Sequence, residues 1–187
     1  MSVVVLKKTS FKDGDKVVDK FIMGCDTQTT LGQTKGQVTK IFKNKLDDRI
    51  VCGVVGSLRD LNLISTITNI IDQFALRRDI VDTETIITTT VKIIKETLSK
   101  EGRVIATDKG EIMSSSIALA FKDKAWIIGP DFAVKEVFDF DAVGGPQEFA
   151  IGAYEAIKDS KMTDEEKVIK TIDICIKRTI YVDYPIC

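Results

Sequence analysis

Two pairs of consecutive amphipathic helices, each preceded by a strand-rich stretch, constrain the fold of this 187-residue chain most. Apolar residues recur every three or four positions over residues 57–74 and 83–100, which predicts the first pair. The second pair is predicted to begin near Pro146 and at Thr163, which opens the capping sequence Thr163-x-x-Glu166. Helices that arrive in pairs argue against a doubly wound parallel sheet, in which single helices alternate with strands.

The stretches before the two helix pairs are rich in β-branched residues and are broken by turn signals. Strands are predicted over residues 2–8, 17–25, 49–55, 103–106, 112–121, 124–128 and 133–138. Asp13-Gly14-Asp15 indicates a hairpin between the first two, whereas the polar stretch 27–37, with Gly32 and Gly36, is interpreted as a loop. The simplest arrangement is two packed antiparallel sheets, each covered by one helix pair. We therefore predict an α+β protein, a four-layer αββα sandwich, in one domain over residues 1–187.

The chain contains no histidine. This excludes Ser-His-Asp and Cys-His catalytic sites and every His-ligated zinc or haem site. Acid–base chemistry near neutral pH must then come from carboxylates, Lys, Cys, Tyr or the α-amine. The four cysteines form no C-x-x-C pair, so we expect reduced and mostly buried thiols at Cys25, Cys52, Cys175 and Cys187. We expect no cofactor and no metal.

The charges nearly cancel, with 27 Lys and Arg against 28 Asp and Glu and a net charge of -1. This balance argues against a nucleic acid or an anionic membrane as the partner. The apolar run Val3-Val4-Val5-Leu6 is too short for a signal peptide, and no later run approaches the roughly 18 residues of a membrane span. We therefore expect a cytoplasmic protein.

Ser2 is the first candidate for chemistry. Removal of an initiator methionine before this small residue would leave a hydroxyl and a free α-amine on the same residue. The unperturbed pKa of an α-amine is about 8, so the amine can accept the proton of its own hydroxyl. The pair would serve as nucleophile and general base without histidine, although Met-Ser starts are also common in proteins of other kinds.

Asp26, Lys40 and Gly56 are the other candidates. If Asp26 and Lys40 lie under Ser2, the ammonium would keep the α-amine neutral and the carboxylate would hold the ammonium in place. Taken singly, they could equally be a surface carboxylate and an ordinary lysine. Gly56 lies between a buried strand and the capping sequence Ser57-x-x-Asp60. Its backbone N–H suits an oxyanion, or Gly56 is simply part of a tight turn.

A specific segment, Asp26-Thr27-Gln28-Thr29-Thr30-Leu31-Gly32, has the form D-x-Q-x-T-L-G. Weaker matches flank it in a fixed order: Met1-Ser2-Val3-Val4-Val5, Gly36-Gln37-Val38-Thr39-Lys40, Gly56-Ser57-Leu58-Arg59-Asp60, Gly144-Gly145-Pro146 and Ile180-Tyr181-Val182-Asp183. Together they resemble the proteasome-like N-terminal nucleophile hydrolases, most closely those of the HslV peptidase type. The resemblance covers most of the chain.

The resemblance implies the αββα fold and a role for each candidate. Ser2 takes the nucleophile position, Lys40 and Asp26 support it, and the Gly56 N–H stabilises the oxyanion. The implied activity is hydrolysis of unfolded polypeptide inside homo-oligomeric rings, hexameric or heptameric and in some cases stacked. An AAA+ unfoldase is the implied partner.

Three departures from the family pattern concern the site. The family uses Thr as its nucleophile; its glycine-rich turn carries a serine where this chain has Gly145 or Val143; and its acidic residue after the last helix falls on Lys177. Two interpretations therefore stay open: a self-compartmentalising peptidase, or a catalytically inactive ring-forming subunit with the same fold. An unrelated α+β binding module is disfavoured, because the order of elements and the site segments agree independently.

Overall fold

The computed structural model describes residues 2–31, 34–180 and 182–187. The predicted loop glycine Gly32 and Tyr181 of the closing segment lie outside the described residues, as do Met1 and Gln33. The strands are β1 Val3–Asp13, β2 Lys16–Cys25, β3 Gln28–Leu31, β4 Thr34–Gln37, β5 Ile41–Lys43, β6 Ile50–Gly56, β7 Val104–Thr107, β8 Gly110–Met113, β9 Ser115–Phe121, β10 Lys124–Ile128, β11 Val134–Val137 and β12 Phe140–Gly144. The helices are α1 Leu58–Ser65, α2 Gln73–Arg78, α3 Thr83–Thr85, α4 Val91–Lys100, α5 Gln147–Ile157 and α6 Asp164–Arg178, with a π-helical segment, Ile86–Thr90, joining α3 to α4.

Two antiparallel sheets form the middle of the molecule. One has the strand order β12-β1-β2, and the other has the order β11-β10-β9-β6-β5. The remaining strands of the described chain pair as the hairpins β3–β4 and β7–β8. Helices α1 and α4 cover the five-stranded sheet, while α5 and α6 cover the three-stranded sheet. The predicted four-layer αββα sandwich is confirmed.

Strand β1 shows how the sequence specifies these layers. Successive side chains of a strand point to opposite faces of its sheet. Val4 and Leu6 pack against the other sheet, whereas Val3 and Val5 pack against α5 and α6. All four side chains are fully buried. An unbroken apolar run is therefore what a strand between two packed layers requires.

The predicted first helix, residues 57–74, is wrong in its length. Helix α1 ends at Ser65, and a separate short helix, α2, begins after Asp72. The Asp72 side chain accepts a hydrogen bond of 2.9 Å from the Ala75 N–H, which starts a new helix at that point. Phe74, placed on the buried face by the periodicity, is 58% exposed.

The predicted helix over residues 83–100 is present but contains the π-helical segment. The wider turn adds one residue, so Ile86 is buried instead of the predicted Ile87. Ile94 and Leu98 are buried as predicted. The capping box of α6 is also confirmed, because the Thr163 side chain accepts from the Glu166 N–H and the Glu166 carboxylate accepts from the Thr163 N–H.

The polar stretch 27–37, predicted as a loop, is largely the exposed hairpin β3–β4. Its pairing is made by backbone groups, which a pattern of polar side chains does not reveal. Strands β5 and β12 were not predicted, and the predicted strand 112–121 is broken at Ser114 into β8 and β9. None of the described helices is long and apolar enough to cross a membrane.

The four cysteines differ sharply in accessibility. All are free; Cys25, Cys52 and Cys175 are buried, and Cys187 is exposed. Burial raises the pKa of the Cys25 thiol to about 11, that of Cys52 to about 12 and that of Cys175 to about 11. These three thiols therefore stay protonated at neutral pH, and only the thiolate is an effective nucleophile.

We expect iodoacetamide at neutral pH to modify the native protein once, at Cys187, and the unfolded protein at all four cysteines. Raising the pH toward 9 leaves the three buried thiols protonated, so their labelling does not accelerate while the fold persists. Peptide mapping by mass spectrometry of native and guanidinium-unfolded samples measures both patterns. Native labelling of Cys52 at the rate of Cys187 would contradict this arrangement of the core.

Candidate active site

A fully buried ion pair lies where β2 ends and β5 begins. Asp26 follows β2, and its carboxylate Oδ2 is 2.8 Å from the Lys40 Nζ. The same ammonium donates to the Asp26 backbone oxygen at 2.8 Å. Asp26 is completely buried, and Lys40 is 3% exposed. The two residues predicted to support the nucleophile are therefore in direct contact.

The Asp26 carboxylate also holds the start of the chain. Its Oδ1 accepts a hydrogen bond of 2.9 Å from the Val3 N–H, and its Oδ2 accepts one of 3.1 Å from the Gln28 N–H. On the other side, the Gly145 N–H donates to the Ser2 carbonyl oxygen at 3.2 Å. Both polar atoms of the peptide bond between Ser2 and Val3 are thus fixed, which sets the position of Ser2.

Gly144 allows the chain to approach Ser2 closely. Its φ of +118° lies in a region that favours glycine, and it pairs with Val3 across the β1–β12 ladder. A Cβ atom at this position would lie 1.9 Å from the Ser2 carbonyl oxygen. No side chain fits there without displacing Ser2. The glycine-rich turn is therefore a requirement of this site, not only a feature of a loop.

The Gly56 N–H faces the same part of the site. In β6 the Val54 N–H donates to the Lys40 backbone oxygen at 2.9 Å, away from β9. N–H groups two residues apart on a strand point to the same side, so the Gly56 N–H also points toward the Lys40 side of the sheet. The Ser57 N–H has a different partner, the Ser115 Oγ at 3.0 Å. Gly56 is thus the residue of this turn whose N–H is directed at the candidate site.

Ser2 lies between two cavities. One, of about 120 Å³, is lined by Ser2 and Lys40 together with Gly56. The other, of about 350 Å³, is lined by Ser2 and Gly56 together with Gly145. Ser2 is therefore bordered by open space on two sides. Within residues 2–31, 34–180 and 182–187 no group of His, Cys, Asp or Glu side chains is arranged to hold a metal ion.

The C-terminal segment supports Asp26 from behind. Cys25 and Cys187 exchange two backbone hydrogen bonds, of 2.7 Å and 2.8 Å, and Asp26 pairs with Ile186. The Thr27 N–H donates to the Pro185 carbonyl oxygen at 3.1 Å. The backbone on both sides of Asp26 is therefore hydrogen-bonded.

The structure shows where the residues that depart from the family pattern lie. Gly145 lines the larger cavity with Ser2, whereas the Val143 side chain faces the apolar layer between the sheets. Neither supplies a hydroxyl at the site. Lys177 lies in the exposed last turn of α6, where its ammonium contacts Asp173 at 2.9 Å.

One group of residues at the site was missed by the analysis of the sequence. The sequence placed Asp60 in a capping sequence and in the segment Gly56-Ser57-Leu58-Arg59-Asp60 that resembles the family, but it gave Asp60 no role of its own and pointed to neither Arg103 nor Ser115. In the structure the Asp60 carboxylate contacts both Arg103 and Ser115 next to the Gly56 turn. These partners lie 43 and 55 residues away along the chain, and no local pattern signals the contact.

Comparisons with known proteins show the fold. HslV from Trypanosoma brucei is 21% identical over 98% of this chain and 96% of its own, with a TM-score of 0.62. BPH from Thiobacillus denitrificans is 16% identical over 100% of this chain and 95% of its own, with a TM-score of 0.71. The same Thiobacillus protein in complex with epoxomicin gives 16% identity and a TM-score of 0.69, with 99% of this chain and 95% of that one covered. No family model matches the sequence, and no curated protein matches it.

This chain thus has the fold of HslV, as expected. The four candidate residues of this chain, Ser2, Asp26, Lys40 and Gly56, meet at one end of the two sheets. Their catalytic roles stay predictions.

The buried ion pair of Asp26 and Lys40 can be tested independently of any activity. Asp26→Asn leaves the Lys40 ammonium buried without a carboxylate, which we expect to lower the free energy of unfolding by about 3–5 kcal/mol. Denaturant unfolding followed by circular dichroism measures this change in the free energy of unfolding.

The control is Lys92→Met, which breaks the exposed pair of Lys92 and Glu96 and should cost less than about 0.5 kcal/mol. The double variant Asp26→Asn/Lys40→Met removes the unpaired charge, so we expect it to be more stable than Asp26→Asn alone. Equal destabilisation by Asp26→Asn and Lys92→Met would show that the ion pair is not buried.

Proposed function

We propose that this chain, which has the fold of HslV, is a ring-forming peptidase subunit with Ser2 as its N-terminal nucleophile. One observation carries the proposal. The peptide bond that follows Ser2 is held at its N–H by Asp26 and at its carbonyl by Gly145, in a cavity that Lys40 and Gly56 also line. These two hydrogen bonds fix the backbone at Ser2, as a mature chain whose first residue is the nucleophile requires.

The proposed reaction begins after removal of Met1. The α-amine of Ser2 accepts the proton of the Ser2 hydroxyl, and the Oγ attacks the carbonyl carbon of a peptide bond. The nearby Lys40 ammonium disfavours a second positive charge and so keeps the α-amine neutral before the attack. Asp26 fixes that ammonium and, through Val3, the backbone of the nucleophile.

The tetrahedral intermediate places a negative charge on the former carbonyl oxygen. The Gly56 N–H is directed to the Lys40 side of the sheet and would donate to this oxygen. Collapse of the intermediate releases the leaving amine, which takes its proton from the Ser2 ammonium. The ester on Ser2 is then hydrolysed by water, with the α-amine again serving as the base.

A second candidate is a catalytically inactive ring-forming subunit. Two observations favour it. The two positions that could carry the serine of the family's glycine-rich turn are Val143 and Gly145, and neither has a hydroxyl. The position of the family's acidic residue after the last helix is Lys177. Without these groups the α-amine has fewer hydrogen-bond partners to orient it. The same fold and the same assembly would then serve as a scaffold or gate.

Peptide hydrolysis by the purified protein decides between the two candidates. We expect the intact mass to correspond to a chain without Met1, and Ser2→Ala to lower kcat for a fluorogenic peptide by on the order of 1,000-fold or more. Ser2→Thr keeps the hydroxyl and the amine and is the matched control that retains activity. A peptide epoxyketone offers two electrophilic carbons, one for the hydroxyl and one for the amine, and should add once to the N-terminal residue. Epoxomicin, with which the Thiobacillus protein forms a complex, is an epoxyketone of this kind and serves as the probe.

A retained Met1 would rule out the mechanism, because it removes the free amine of Ser2. Hydrolysis that persists in Ser2→Ala would show that Ser2 is not the nucleophile. A mature Ser2 that neither hydrolyses peptides nor reacts with the epoxyketone would establish the inactive subunit.

We also propose homo-oligomeric rings, hexameric or heptameric, with an AAA+ unfoldase as partner and unfolded polypeptide as substrate. Apolar residues on the helical face formed by α5 and α6 support an assembly. Phe149 on α5 is 54% exposed and Ile169 on α6 is 52% exposed, and we propose that neighbouring copies of the chain cover them.

We expect the protein to elute as an oligomer in size-exclusion chromatography with light scattering at micromolar concentration. Phe149→Glu would place a charge on the α5 surface and shift the population toward smaller species. A monomeric wild-type protein under these conditions would contradict both the peptidase and the inactive ring subunit.

A further inference from the structure

A second buried carboxylate, Asp60, lies next to the Gly56 turn and has no part in the chemistry proposed above. It is completely buried in the first turn of α1. Its Oδ1 accepts a hydrogen bond of 2.7 Å from the Arg103 Nε, and its Oδ2 accepts one of 2.8 Å from the Ser115 Oγ. A buried charge with two specific partners needs a reason, since its desolvation is costly.

Both partners of Asp60 also contact Ser57. The Ser115 Oγ accepts from the Ser57 N–H at 3.0 Å, and the Arg103 Nη2 donates to the Ser57 Oγ at 3.0 Å. The Ser57 hydroxyl is in turn the N-cap of α1, although its bond from the Asp60 N–H is long, at 3.5 Å. Two side chains from distant parts of the chain, Arg103 and Ser115, thus converge on the residue after Gly56, and both also contact the Asp60 carboxylate.

These contacts determine the orientation of the Gly56–Ser57 peptide. Gly56 has a φ of +116°, and a Cβ on it would lie 2.4 Å from the Ser114 carbonyl oxygen, so the turn packs tightly against the start of β9. Pairing with Ser115 fixes Gly56 on one side, and the bond from the Ser57 N–H to the Ser115 Oγ fixes the next peptide plane. The Gly56 N–H belongs to the preceding peptide, between Val55 and Gly56, which the pairing of β6 with β9 places, and the bond from the Ser57 N–H to Ser115 anchors the end of that strand.

The charges of the network are balanced as well. An unpaired carboxylate two hydrogen bonds from this turn would disfavour a negative charge developing on a substrate oxygen. The Arg103 guanidinium, in direct contact with Asp60, cancels that charge. The network can therefore fix the turn without making the site unfavourable to an oxyanion.

We propose that Asp60, Arg103 and Ser115 are positioning residues that hold the Gly56 N–H in the geometry needed to bind the oxyanion of peptide hydrolysis. This inference rests on the function proposed above. None of the three acts on the substrate directly; they work through Ser57 and Gly56. Because Ser115 occupies the Ser57 N–H, the network also leaves Gly56 as the donor that the substrate meets.

Ser115→Ala tests the network in the assembled, mature protein. We expect kcat for a fluorogenic peptide to fall on the order of 10- to 100-fold, with KM within about 2-fold, because the donor is misdirected only toward the transition state. A peptide aldehyde forms a tetrahedral adduct with a serine hydroxyl, so its inhibition constant should rise by the same factor as kcat/KM falls. Substrate binding alone would not show this parallel.

The matched control is Thr163→Ala, which removes a capping hydroxyl of α6 away from the site. We expect a small loss of thermal stability, with kcat and the aldehyde inhibition constant unchanged. Should Ser115→Ala fail to fold, Arg103→Lys takes its place, because it keeps a positive charge beside the buried Asp60, leaves the contact between Asp60 and Ser115 intact and loses the forked contact to the Ser57 Oγ. It should lower kcat in the same way.

The outcomes separate this inference from the proposed function. Wild-type activity with an unchanged kcat in folded Ser115→Ala, or in folded Arg103→Lys if that variant is used, would overturn the network alone. A mature wild-type protein without hydrolysis and without reaction with the aldehyde would overturn the proposed function, and the positioning role with it. A fall in kcat with a matching rise in the aldehyde inhibition constant supports both.

Discussion

The buried pair of Asp26 and Lys40 is the interaction on which the arrangement of the site depends. Removing both charges from water costs several kcal/mol for each ion, and the cost is offset only by close, complete pairing. The structure supplies that pairing: the carboxylate accepts from Lys40, Val3 and Gln28, and the ammonium also donates to the Asp26 backbone oxygen. As a consequence, the hydrogen bond from the Val3 N–H holds the start of β1 against the buried Asp26 carboxylate.

Strand topology then brings the remaining groups to the same end of the sheets. The antiparallel pairing of β1 with β2 places the start of β1 beside the end of β2, with Val4 opposite Cys25. Pairing of β1 with β12 places Gly144 beside Val3 and so brings the glycine-rich turn to Ser2. The end of β6 joins them from the second sheet, because Lys40 bridges to Val54 through its backbone oxygen. The start of β1, the end of β2, the turn after β12 and the end of β6 therefore meet through the pairing of the strands alone.

Local patterns in the sequence were sufficient for the layers and insufficient for the details of the site. The paired amphipathic helices predicted the αββα sandwich, since a helix face must cover a sheet face. The family resemblance, more than the residues singly, predicted that Ser2, Asp26, Lys40 and Gly56 would meet. Helix boundaries failed where a local contact outweighed the period, as at Asp72, or where a π-helical turn shifted it, as at Ile86. The contacts of Asp60 with Arg103 and Ser115 join residues 43 and 55 positions apart, so only the folded chain reveals them.

A serine at the proposed nucleophile position changes what the fold would have to control. The β-branched side chain of threonine restricts its own χ1, whereas a serine hydroxyl can occupy all three staggered positions. Here the backbone of Ser2 is fixed by Asp26 and Gly145, and the residue is 9% exposed, so the walls of the two cavities must select the rotamer. The missing turn hydroxyl at Gly145 removes one group that could have done so. The orientation of the hydroxyl would therefore depend on the Lys40 ammonium and on the Gly56 turn, beside which the buried charges of Asp26 and Asp60 lie.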